Sequence, residues 1–219
     1  MTAPDVTAVI VFAKAPRPGA VKTRLVPLLG TESAAELHAQ LVKRTLETAQ
    51  AASLRPVELH CAPDASDPFF RFCASHYGIS VHAQVRGNLG ERMLAAFEKA
   101  LAAHDRVLLV GTDCPALTAG HLCQAEKALR DGTDAVFVPC EDGGYALIGL
   151  RRADGRLFGD IAWGSDSVMA ATRTRLTALG WRWQELDILW DVDRPEDYRR
   201  LVASGLLGSG IRLLATGRT

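Results

Sequence analysis

The chain of 219 residues carries 25 lysines and arginines against 25 aspartates and glutamates, and 48% of its residues are hydrophobic. Such a length suits one α/β domain with a large core, and the balanced charge leaves no positive field to hold a nucleic acid, so the expected partners are small molecules. Five cysteines without a Cys-x-x-Cys pair argue against a disulfide framework and a structural zinc centre, and point to the reducing cytoplasm.

Valine- and isoleucine-rich runs alternate with stretches of helical period. This predicts βαβ units around a mixed, mostly parallel sheet, in a single three-layer α/β/α domain over residues 1–204. Strands are predicted at 6–13, 57–61, 80–84, 106–111 and 135–139, and helices at 32–53, 68–77, 89–103 and 119–131. No apolar run has the length of a membrane span, and the first one runs into Lys14 and a proline rather than a cleavage site, so it reads as a core strand. Thr31 is placed to cap the first helix, whose apolar face includes Leu37, Leu41 and Leu46. Past Pro139 there is no room for a crossover helix before the apolar run 146–150, which is expected to pair antiparallel near the edge of the sheet. A helix at 167–179, a strand at 182–186 and a short helix from Pro195 complete the domain, and glycines at 205, 208, 210 and 217 mark 205–219 as a C-terminal tail.

The loops after these strands carry the chemistry. Lys14, Arg17, Lys22 and Arg24 follow the first strand in a segment that Pro16, Pro18 and Gly19 keep from being helical, a natural cradle for phosphates. It is not a Walker A loop, because Val21 rather than glycine precedes Lys22 and Thr23; nor does Gly87-Asn88-Leu89-Gly90 have dinucleotide-binding spacing. The strand at 106–111 delivers Asp113, and in open α/β sheets ligands bind beyond the carboxyl ends of the strands, on the same side as the basic loop. A carboxylate beside bound phosphates repels them unless a cation stands between, and Mg²⁺ held by one or two carboxylates and phosphate oxygens is the usual solution. The alternative is that Asp113 caps the helix after Pro115.

Asp191 and Asp193 point the same way on an extended segment and can share a metal with Asp113; alternatively Asp193 caps the helix that starts near Pro195. In Glu141-Asp142-Gly143-Gly144-Tyr145 the glycines allow backbone to approach a ligand and the acids can orient a hydroxyl or act as a base, or the segment is a plain turn. Trp163 offers a stacking surface to a ring or sugar, or is core, and Asp166 is a candidate cap for the helix that follows. The histidines at 38, 60, 76, 82, 104 and 121 form no recognisable ligand pair, and Gly164-Ser165 lacks a nucleophile elbow.

Six motifs in series carry a resemblance: Phe12-Ala13-Lys14-Ala15-Pro16 with Val21-Lys22-Thr23-Arg24-Leu25, Gly90-Glu91-Arg92-Met93, Gly111-Thr112-Asp113-Cys114-Pro115, the 141–145 loop, Trp163-Gly164-Ser165-Asp166-Ser167-Val168, and Asp191-Val192-Asp193 with Pro195-Glu196-Asp197. Over nearly its whole length the chain resembles the bacterial DUF2064 transferases of the GT-A, nucleotide-diphospho-sugar transferase type. Its first loop and closing acidic motif are also similar to those of small nucleotidyltransferases, such as the molybdenum-cofactor and phospholactate guanylyl or cytidylyl enzymes.

The resemblance implies a transferase dependent on Mg²⁺ or Mn²⁺. Asp113 and Asp193 become its metal ligands with Asp191 in reserve, and Lys22, Arg24, Gly19 and, more weakly, Lys14 bind the nucleotide phosphates. Asp142 or Glu141 serves as base beside Asp113, and Gly143, Gly144, Tyr145 and Trp163 hold the acceptor. The implied reaction is glycosyl transfer from a nucleotide-diphospho-sugar to a small polar acceptor. The alternatives are transfer of a nucleoside monophosphate from a triphosphate to a small phosphorylated acceptor, favoured by a single acid at the central strand where glycosyltransferases of this fold have Asp-x-Asp, and a catalytically silent nucleotide-binding domain.

Overall fold

The computed structural model describes residues 6–207. Its strands are β1 (Thr7–Lys14), β2 (Val57–Ala62), β3 (Ser80–Ala83), β4 (Arg106–Val110), β5 (Ala135–Pro139), β6 (Tyr145–Leu150) and β7 (Trp183–Glu185). They form one sheet in the order β3-β2-β1-β4-β6-β5-β7. All pairings are parallel except the two that β6 makes with β4 and β5. The helices are α1 (Val26–Leu29), α2 (Thr31–Ala51), α3 (Pro68–Tyr77), α4 (Leu89–Leu101), α5 (Ala119–Arg130), α6 (Val168–Leu179) and α7 (Pro195–Ser204).

Strand alternation builds the layers. Val9, Val11 and Ala13 of β1 join Val42 and Leu46 of α2 and Leu122 of α5 on one face, while Ile10 and Phe12 join Phe97 of α4 and Met169 and Leu176 of α6 on the other. A third cluster under α7 collects Leu25, Leu37, Trp190, Val192 and Tyr198. The three-layer α/β fold expected from the sequence is therefore the observed one.

Two expectations need correction. The run 146–150 is antiparallel as expected, but β6 lies between β4 and β5 rather than near an edge. Its residues from Ala146 to Leu150 are all buried, and a Cβ on Gly149 would come within 2.6 Å of both Leu108 and Val136, so the neighbouring strands close over it from both sides. An unbroken apolar run is the signature of a central strand, and that signal outranks the shortness of the connection. Thr31 does not cap α2: Gly30 holds the cap position, and the Thr31 hydroxyl donates to Glu32. Of the expected tail, Leu206 and Leu207 pack on the third cluster and Arg44 donates to the Leu206 carbonyl, while residues 208–219 lie outside the described residues. Among the described residues, no helix is long and apolar enough to cross a membrane.

Candidate active site

Because β1, β4, β5 and β7 run parallel, their carboxyl ends share one edge of the sheet, and antiparallel β6 brings its amino end there too. A cleft of about 620 Å³ opens along this edge. Lys14, Lys22, Arg24, Asp113, Asp142, Gly144, Tyr145, Trp163, Asp191 and Asp193 all line it, so most of the residues singled out by sequence meet in one place.

The basic loop leaves β1 when Ala15 donates to the Ala62 carbonyl, and it turns at Gly19 and again at Lys22, both at positive φ. Lys22 adopts a left-handed conformation (φ 48°) that costs a non-glycine residue energy, and the contacts of its side chain hold it there. The ammonium is almost fully enclosed, paired with the Asp113 carboxylate and donating to the Val192 carbonyl at 2.6 Å. One turn later Arg24 pairs with Asp193. Arg17 turns the other way, to Asp67 at 3.0 Å and Asp64 at 3.6 Å, and Gly19 does not line the cleft.

The acidic side is knitted by backbone. The Val192 N–H donates to the Asp113 carbonyl at 2.8 Å, hanging the loop after β7 on the end of β4. With Val192 fully buried, its neighbours Asp191 and Asp193 both face the cleft, as the spacing of two predicts. Neither metal candidate is consumed as a helix cap. Thr118 caps α5, and at the start of α7 it is the Asp197 carboxylate that accepts from the N–H groups of Asp193 and Arg194.

The acids differ in charge environment. The surrounding protein works against ionisation of Asp113 by displacing water, but Lys22, His38 and Lys14 together hold its carboxyl below the ordinary carboxylate range. The carboxylate remains reachable, with 56% of its side-chain surface open. Asp191 is pushed up to about 6 by burial and by the charges of Asp142 and Asp113. Asp142 accepts from the Gly144 N–H at 2.9 Å and keeps its carboxylate in the cleft. Glu141 instead makes a two-pronged ion pair with Arg200 of α7, at 2.7 and 3.1 Å, and does not line the cleft. The acid of this loop available for chemistry is therefore Asp142.

Gly143 and Gly144 do different jobs. Gly143 (φ 87°) is where the 140–144 loop presses on the next one: a Cβ there would lie 2.0 Å from the Asp166 carbonyl oxygen, and the Met169 N–H donates to the Gly143 carbonyl. It positions the wall, whereas Gly144 forms its surface. Trp163 is half-buried and lies over Gly90, where a side chain would meet the indole nitrogen at 2.7 Å.

Residues 45–165 match the profile of the bacterial family described as "Uncharacterized protein conserved in bacteria (DUF2064)". The chain belongs to the DUF2064 family. No curated protein matches it significantly. Among solved structures, it is similar to a protein from Desulfovibrio desulfuricans G20, provisionally named a nucleotide-diphospho-sugar transferase, at 30% identity and a TM-score of 0.83, covering 94% of this chain and 90% of that one. A nucleotidyl transferase from Methanothermobacter shares the fold at 16% identity and a TM-score of 0.64, over 93% and 98% of the two chains. So does Rv0371c of Mycobacterium tuberculosis H37Rv, solved with manganese, at 18% identity and a TM-score of 0.54, over 91% and 99%.

In this DUF2064 chain the cleft also contains residues that sequence reasoning passed over. His38 of α2 sits beneath the basic loop, donating from Nε2 to the Lys14 carbonyl at 3.0 Å and leaving the buried Nδ1 without a partner. Burial, helped by Lys22 and Lys14, keeps its imidazole below the usual histidine range even though Asp113 acts in the opposite direction. Arg92 reaches the cleft from the first turn of α4, which is fixed by reciprocal bonds between Asn88 and Glu91. The Asn-x-x-Glu spacing of that capping box was legible in the sequence; the fact that the next residue faces the cleft was not.

Proposed function

We propose that this protein is a metal-dependent transferase acting on a nucleotide-activated donor, with glycosyl transfer from a nucleotide-diphospho-sugar to a small polar acceptor as its reaction. The observation that carries this reading is the pairing of Lys22 with Asp113 and of Arg24 with Asp193 in a cleft that also holds Asp142 and Asp191. The name of the Desulfovibrio relative and the fold shared with nucleotidyl transferases support the choice of donor.

The donor set of Asp113, Asp191 and Asp193 consists of oxygens alone, which fits a hard divalent ion such as Mg²⁺ or Mn²⁺. The raised Asp191 fits too, since a carboxyl that burial and neighbouring acids hold against ionisation would be favoured as a ligand beside a cation. Asp113, Asp193 and Asp191 would hold such an ion, which would supply positive charge beside the departing diphosphate. The chain's own residues do the rest. Lys22 and Arg24 exchange their carboxylate partners for phosphoryl oxygens, so the charges that bind donor are already in place, and that of Lys22 is already enclosed. Asp142, steadied by the Gly144 N–H, accepts the proton of the acceptor hydroxyl. Tyr145 and Trp163 line the cleft with aromatic surface that would exclude water from the transferring group. The free cysteines, most of them buried, accord with a reducing cytoplasm.

Two observations favour nucleotidyl transfer as the second reading. A single acid, Asp113, stands at the end of β4, and an adjoining hollow of about 450 Å³ is lined by Lys14, Arg17, Arg86 and Arg92, enough cations for further phosphates. Donor consumption separates the readings: nucleoside-diphospho-sugars and nucleoside triphosphates are incubated with the protein and Mn²⁺, and products are resolved by mass spectrometry. Release of nucleoside diphosphate from a sugar donor, absent in Asp113→Asn, is the expected result. Pyrophosphate release from a triphosphate establishes the second reading, and binding without turnover of either points to a silent nucleotide-binding domain.

A further inference from the structure

The histidines looked unpaired in sequence, but strand pairing joins two of them. Glu58 and His60 are two residues apart on β2 and so share a face, and His60 lies directly opposite His82 in the parallel register with β3. On that face the Glu58 carboxylate meets both rings. Its Oε2 is 2.9 Å from His60 Nε2 and 3.7 Å from His82 Nε2, and one ligating atom from each residue lies within 4.8 Å of the others. An ordinary Glu–His hydrogen bond accounts for the first contact; it does not account for a second imidazole offering the same nitrogen to the same oxygen.

We propose that Glu58, His60 and His82 form a site for one divalent ion of the Zn²⁺ type, which clamps the edge strand β3 to β2. Donors about 2.0–2.1 Å from a tetrahedral ion stand about 3.3 Å apart, and the observed 2.9 and 3.7 Å bracket that spacing. Two imidazole nitrogens and one carboxylate select zinc over Mg²⁺, in contrast to the all-oxygen cleft. His60 is buried between Phe12 and the His82 ring, whereas His82 and Glu58 are partly exposed, which leaves an entry path and a fourth position for water. Burial favours neutral His60, the form that ligates. One group competes: the Lys99 ammonium of α4 lies 3.4 Å from His82 Nδ1 and must turn aside when Nε2 takes a metal. The site also connects to the cleft. Gln84, just past β3, donates to the His60 carbonyl at 2.8 Å and accepts from Arg92 at 3.1 Å, so fixing β3 steadies a cation of the cleft wall.

The test titrates Zn²⁺ into chelator-stripped protein by calorimetry, with excess Mg²⁺ present to occupy the acidic cleft. One equivalent is expected to bind. Affinity is expected to fall at least about tenfold in Glu58→Gln and in His82→Ala, both at partly exposed positions, while Asp113→Asn keeps it. Lys99→Met is expected to tighten binding about threefold by removing the competing ammonium. Melting temperatures without metal that match the wild type show that the variants are folded. No binding by the wild type, binding undiminished in both triad variants, or loss in Asp113→Asn alone would each overturn the site.

Discussion

The two sides of the cleft carry opposite charge, and they are not balanced against each other. On the side of β1, Lys22 and Arg24 each meet a carboxylate. On the side of β5, β6 and β7, neither Asp142 nor Asp191 has an ion-pair partner among the described residues, and burial together with the charges of Asp142 and Asp113 drives Asp191 up to about 6. Lys22 and Arg24 are thus satisfied but exchangeable, whereas Asp142 and Asp191 are unpaired and open to a cation from outside. That asymmetry is what a nucleotide and a divalent ion, arriving together, would relieve.

Removing the acid common to both sides should break the comparison most severely. Asp113→Asn is expected to lower turnover by about 10³-fold, on the scale of losing a preorganised charge at the reacting phosphate, with the fold retained by circular dichroism. Next, Lys22→Met is expected to cost about 10²-fold in kcat/KM, and a rise in KM for the nucleotide donor would place the loss in donor binding. Turnover within threefold of wild type in Asp113→Asn, or kcat/KM within threefold of wild type in Lys22→Met, would remove the cation–acid exchange from the mechanism.

The unpaired acid has a signature in stability. A folded-state pKa of about 6 against an ordinary 3.8 means that protonated Asp191 stabilises the fold below pH 3.8, and that this contribution is lost as pH rises through 6. Ionised Asp191 therefore costs up to about 3 kcal/mol above pH 7. Asp191→Asn is expected to be more stable than wild type by about 1–3 kcal/mol at pH 7.5 in chemical denaturation, with roughly half that advantage at pH 5. A variant no more stable than wild type at pH 7.5 would show that the acids are not crowded. The smallest effect belongs to Glu141→Gln. With its carboxylate spent on Arg200, steady-state turnover is expected to stay within about threefold of wild type; a larger loss would return Glu141 to the catalytic machinery.

The sequence made the layers legible because each buried strand alternates or runs apolar, and because motif-bearing loops follow strands whose parallel direction forces them to one edge. It made Asp191 and Asp193 legible through their spacing of two around an apolar Val192. Sheet order was harder: a short connection suggested an edge for β6, but connection length constrains which strands can be antiparallel and says little about where they lie. The different fates of Glu141 and Asp142 were hidden because adjacent residues in a turn point apart, and only the position of Arg200 decides which one is captured. His38, and His60 facing His82, were invisible for a related reason. Their neighbours come from other strands and helices, 24 and 22 residues away for Lys14 and His82, and no local pattern announces them.

The exchange at the centre of the cleft is tested most directly by calorimetric binding of nucleotide-diphospho-sugars and of the corresponding triphosphates, with and without Mn²⁺, to wild type and Asp113→Asn. Binding to wild type that strengthens at least about tenfold with Mn²⁺, and a metal dependence that disappears in Asp113→Asn, is the expected result. Binding of equal strength with and without metal, or a metal dependence preserved in Asp113→Asn, would contradict it.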